Sequence, residues 1–138
     1  MKATAFRIGQ FLAASISGLI LIYIISLFQN IDPPAKGEYF YSQFFRSHYT
    51  WIAMLLFMGV AFIAAYVFTI NPWLTGFSLL IFFPVTAILE SAIYRGSHNL
   101  IPFEFMMHLV FMAPVALSAL AGQQLKRYII RKKDERRE

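Results

Sequence analysis

In a chain of 138 residues, 59% hydrophobic side chains and 14% charged ones leave too little polar surface for a water-soluble domain, so the composition is that of one small membrane domain. Twelve Lys and Arg against seven Asp and Glu give a formal charge of +5. The absence of cysteine excludes disulfides, thiolate metal sites and thiol nucleophiles.

Four apolar stretches, residues 8–28, 49–70, 73–94 and 102–125, each approach the roughly 20 residues that a helix needs to cross hydrocarbon. Their apolar character is continuous rather than alternating, which predicts helices and not barrel strands. The expectation is an all-α integral membrane four-helix bundle, a single transmembrane domain over residues 1–138 with a basic cytoplasmic tail, 126–138.

The first stretch follows Lys2 and Arg7, and its apolar run is too long for a cleaved signal peptide, so it reads as an uncleaved anchor. Ser15, Ser17 and Ser26 within it are expected to bond back to their own helix carbonyls. Beyond Asp32-Pro33-Pro34, the cluster Tyr39, Phe40, Tyr41, Phe44 and Phe45 predicts a short interfacial helix in the first outer loop, an aromatic anchor or a lid. Asn71-Pro72 marks a tight turn between the second and third spans. Pro84 and Pro114 each delete a helix hydrogen bond and are expected to kink the third and fourth spans. The spacing of Ala13 with Ser17, Ala14 with Gly18, Ala61 with Ala65, and Ser118 with Gly122 predicts faces where helix backbones approach closely, inside the bundle or between subunits.

Basic residues set the orientation, because translocated loops are poor in Lys and Arg near helix ends. Nine of the twelve cations flank the first and fourth spans at the terminal side: Lys2, Arg7, Lys126, Arg127, Arg131, Lys132, Lys133, Arg136 and Arg137. Both termini are therefore expected in the cytoplasm, in a plasma membrane or bacterial inner membrane. The tail alternates these cations with Asp134, Glu135 and Glu138, as a solvated segment beside anionic headgroups would.

Ionisable groups within spans are costly, so each needs a partner or a wet cavity. Glu90 lies near the outer end of the third span, and Glu104 and His108 share one face of the fourth at i, i+4 spacing. The Arg95-Gly96-Ser97-His98-Asn99 turn joins the two spans, with Pro102 suited to the first turn of the fourth helix. A pocket of Glu90, Arg95, His98, Asn99, Glu104 and His108, with His48 from the other loop, is the candidate site for an ion or small polar solute. Glu104 and His108 are weak candidates for metal ligands, since no second motif supplies a third. The bland alternative pairs Glu90 with Arg95 and leaves His108 satisfied by a facing polar group.

There is no Gly-rich phosphate loop, Gly-x-Ser-x-Gly elbow or His-Glu-x-x-His pattern, and no cofactor or nucleic acid is called for. Three functions fit: binding or conducting an ion or small polar solute, serving as a non-catalytic subunit of a larger membrane complex, or acting on a lipid headgroup with Glu104 and His108 as acid and base. Besides lipid, the expected partner is a second copy or another membrane protein. The orientation has a direct check: in cells, Gln43→Cys and Ser97→Cys should react with an impermeant thiol reagent added outside, and Asn71→Cys should not.

Overall fold

A chain that must hide its peptide groups from hydrocarbon winds into helices. The computed structural model describes residues 2–32, 48–93 and 101–136, and its elements are α1 (Lys2–Phe28), α2 (Trp51–Val67), α3 (Pro72–Leu80), α4 (Phe82–Ile93) and α5 (Ile101–Asp134). The expected interfacial helix falls at residues 39–46, outside the described residues.

Local chemistry sets the helix ends. Asn30 closes α1 with a left-handed backbone (φ 46°), and the Ile31 amide reaches back to the Ser26 carbonyl at 3.2 Å, a Schellman closure in which asparagine tolerates the positive φ. Thr50 caps α2, its hydroxyl accepting from the Ala53 amide. Asn71 caps α3 through the Trp73 amide at 2.9 Å, with Pro72 in the first turn, where its missing N–H costs nothing. Pro102 likewise falls in the first turn of α5.

The two prolines expected to kink their spans behave differently. Pro84 has no N–H for the Leu80 carbonyl, and the helix breaks there, α3 and α4 meeting at Ile81 with a 44° bend. The expected third span, 73–94, is therefore two helices. Pro114 lies inside α5, which runs on without interruption.

Two helical segments, Thr4–Phe28 and Phe105–Asp134, are long and apolar enough to cross a membrane, and α3 with α4 passes the same test as one bent unit. The second apolar stretch, expected at 49–70, forms a helix of 17 residues, about 25 Å long at helical rise. The fourth, expected at 102–125, carries its helix through the basic tail to Asp134.

Packing follows the small residues. The nine-residue α3 lies against α1, α2 and α5, and buries Pro72, Thr75, Gly76, Ser78, Leu79 and Leu80. A β-carbon on Gly18 would collide with the Leu79 carbonyl, one on Gly122 with the Phe62 carbonyl, and one on Gly76 would lie 2.9 Å from the Ala116 α-carbon. Ala14, Ala61 and Ala65 are buried in the same seams, so three of the four small-residue pairs are used within the chain, and Ala13 faces outward. Ser118 adds a polar tie, its hydroxyl donating to the Met58 carbonyl across α2 and α5 at 2.7 Å. Ser15, Ser17 and Ser26 donate to the Phe11, Ala13 and Tyr23 carbonyls of their own helix, as expected.

The outer surface is apolar. Phe6, Leu12, Ile16, Ile20 and Leu27 of α1 are each more than half exposed, and apolar surface on this scale marks contact with lipid or partner protein. Because Gly18 and Gly122 touch backbone, Gly18→Ala and Gly122→Ala should each lower the stability of detergent-purified protein by roughly 1–3 kcal/mol, read from thermal unfolding. Gly9→Ala and Gly59→Ala, where an added β-carbon meets nothing within 4 Å, should be neutral or stabilising.

Candidate functional site

Apolar packing of the bundle's middle leaves polar chemistry at its two ends. At the end away from the termini, Phe83 in the first turn of α4 is 2% exposed and joins three elements. Its ring lies 6.5 Å from Phe57 of α2, 6.5 Å edge-on from Tyr49, and 6.0 Å from His108 of α5. Tyr49 also packs edge-on against Phe111 at 4.6 Å, and His108 lies 6.2 Å from Phe105. His108 is thus half-buried in an aromatic wall that braces its ring, with the Nε2 atom buried. Gln29, just past α1, donates from Nε2 to the Thr50 hydroxyl at 3.0 Å and ties the end of α1 to the start of α2.

The sequence-predicted site residues distribute around this wall. His108 lies on α5 one turn after Glu104, whose backbone is in the first turn of that helix, and the backbone of Glu90 is in the last turn of α4. His48 is half-buried beside Tyr49. Arg95, His98 and Asn99 lie outside the described residues. Among the described residues, no three His, Asp or Glu side chains come close enough to hold a metal ion.

The opposite end holds a groove with a volume of about 510 Å³. The start of α1 contributes Thr4, Arg7, Ile8 and Phe11, the link between α2 and α3 contributes Thr69, Ile70 and Asn71, and α5 contributes Gln123 and Arg127. Both chain ends therefore approach the same end of the bundle. Two ties fix the walls. Buried Gln10 accepts through Oε1 from the Thr69 amide at 3.2 Å and hydroxyl at 3.1 Å, joining α1 to the link. Lys126 Nζ donates to the Val67 carbonyl at 3.1 Å, satisfying one of the carbonyls left open at the end of α2.

This groove was not legible in the sequence. Gln10 is a single polar residue and Gln123 half of a Gln123-Gln124 pair at the edges of apolar runs, and Arg7 and Arg127 read as ordinary flanking cations. A signal was present in that each glutamine sits within four residues of an arginine, on the same side of its span.

Compared with protein-family models, curated proteins and solved structures, the chain matches none.

The Gln10 contact is testable by itself. Gln10→Leu removes the shared acceptor of two donors on the exposed Thr69, and should destabilise the protein by about 0.5–1.5 kcal/mol in thermal unfolding. Thr69→Ser retains both donors and should stay near wild type.

Proposed function

We propose that the chain crosses the membrane four times with both termini in the cytoplasm, in a plasma or bacterial inner membrane, and binds an ion or small polar solute at its outer end. The observation that carries this reading is the half-buried imidazole of His108, braced by Phe83 and Phe105 in the outer part of the bundle. An ionisable ring at such a position is retained at a cost and has to be offset by a polar partner or a bound ligand. Rise along the two helices supports a shared site: Glu104 is about 6 Å beyond His108, and Glu90 about 10 Å beyond Phe83, toward the same end. Arg95, His98 and Asn99 in the joining turn, and His48 from the preceding loop, complete the proposed pocket.

Binding is favoured over conduction. Below His108 the interior is filled by Phe57, Phe83, Leu79 and Val115, each no more than 2% exposed, and the buried hydroxyls of Thr75 and Ser78 donate to nearby carbonyls of their own segment rather than facing a path toward the groove. The use of the small-residue seams inside the chain removes one argument for a partner subunit or homo-oligomer, and leaves the outward apolar faces as the surfaces such an assembly would use.

The test is a melting-temperature screen of the purified full chain against Na⁺, K⁺, Mg²⁺, Ca²⁺, Mn²⁺, Zn²⁺ and small polar solutes. A ligand at one hundred times its Kd should add about 2.7 kcal/mol to stability. Glu90→Gln, Glu104→Gln and His108→Ala should abolish that gain while leaving the unliganded protein folded. A ligand shift that survives all three substitutions, or three variants that do not fold at all, would show the cluster to be structural.

A further inference from the structure

We propose that the groove at the terminal end is a phosphate-binding site, in which Arg7 of α1 and Arg127 of α5 together hold the phosphate of an anionic lipid headgroup or of a soluble phosphate compound.

Two arginines from helices at opposite ends of the sequence line one groove of about 510 Å³, and among the described residues no acidic one lines it with them. Neither arginine has an ion pair among the described residues. The described ion pair of this region, Arg131 with Glu135 at 3.0 Å, lies on the exposed tail; Arg127 also borders a separate tail concavity with Ile130, Arg131, Asp134 and Glu135, whose carboxylates are about 10 and 12 Å of helical rise past it and do not line the groove. Two like charges lining one groove with no described carboxylate among its lining favour an anion, and the planar guanidinium fork matches the oxygens of a phosphate.

The remaining lining suits the same ligand. Thr4, Thr69, Asn71 and Gln123 offer neutral hydrogen-bonding groups, and Ile8, Phe11 and Leu74 give an apolar flank. The volume lies within the range of small-molecule sites and accommodates more than a bare anion. The walls are fixed in advance by the contacts of Gln10 with Thr69 and of Lys126 with the Val67 carbonyl, which lowers the ordering cost of binding. Arg7 also stands one turn inside the start of the apolar segment Thr4–Phe28, the depth at which a helix end meets lipid phosphates.

The experiment uses the full chain reconstituted in phosphatidylcholine vesicles with and without an equal amount of phosphatidylglycerol, then extracted and weighed by native mass spectrometry to count retained lipid. In parallel, inorganic phosphate is titrated against the melting temperature in a zwitterionic detergent. Wild type is expected to retain phosphatidylglycerol in preference to phosphatidylcholine, or to be stabilised saturably by phosphate. The first result identifies a lipid source, the second a soluble one. Arg7→Gln and Arg127→Gln should each weaken that response about tenfold or more, and the double variant should abolish it. The pair Arg131→Gln and Lys132→Gln, which removes the same charge from the exposed tail, should leave it intact. If the glutamine variants fail to fold, Arg7→Lys with Arg127→Lys keeps the charge without the fork and should bind several-fold more weakly. The proposal is overturned if the tail pair weakens binding as much as the groove pair, if the lysine pair binds like wild type, or if neither ligand acts on wild type.

Discussion

Backbone contact at three glycines is the constraint on which the rest of this structure depends. Lipid tails are as apolar as leucine, so helices in a bilayer are held by close van der Waals contact and internal hydrogen bonds rather than by exclusion from water. Gly18 admits the Leu79 backbone and Gly76 lies against the Ala116 backbone, which lets a nine-residue helix sit among three others, and Gly122 admits the Phe62 backbone where α5 meets α2. The bond from Ser118 to the Met58 carbonyl lies one turn from the Gly122 contact and fixes the same seam. Sliding either helix by one residue would place a side chain against a carbonyl, so the seam has a single register.

That dense middle divides the molecule chemically. Leu79, Val115, Phe57 and Phe83 fill it, leaving polar groups at two ends of opposite character. One end has the imidazole of His108 behind aromatic rings, with Glu104 and Glu90 on the adjoining helix turns. The other has Arg7 and Arg127 lining a groove with the polar side chains of Thr4, Thr69, Asn71 and Gln123. The bend at Ile81 belongs to this division, because Phe83 lies in the first turn after it and meets Tyr49, Phe57 and His108 together.

The elements legible in the sequence were those specified by short-range rules. Continuous apolar runs announced helices, four-residue spacing of small side chains announced the seams at Ala14 with Gly18 and at Ala61 with Ala65, and span serines announced bonds to their own carbonyls. Pro84 and Pro114 show where such rules stop. They look alike in sequence, and each deletes one hydrogen bond, yet α4 bends away from α3 while α5 continues. The difference is tertiary: α5 is clamped along its middle by α2 and α3, whereas among the described residues α4 has few neighbours to hold it in line. The groove was illegible for a related reason. Gln10 with Thr69, and Arg7 with Arg127, are pairs far apart in the chain, and no local pattern declares them.

Helix α5 links the two ends and sets the scale of the molecule. His108 and Arg127 are 19 residues apart within its unbroken run, about 28 Å at helical rise, close to the roughly 30 Å of bilayer hydrocarbon. Helix α1 gives a similar measure, since Arg7 to Phe28 is about 31 Å. The shorter α2 is extended by Phe68–Ile70, whose non-helical backbone covers about twice the distance per residue before α3 turns back. Helices α1 and α5, which hold the two segments long and apolar enough to cross a membrane, thus agree on one thickness. The two polar ends are therefore about one hydrocarbon thickness apart, the spacing at which charged and titratable groups on a membrane helix meet water or headgroups without the cost of full burial.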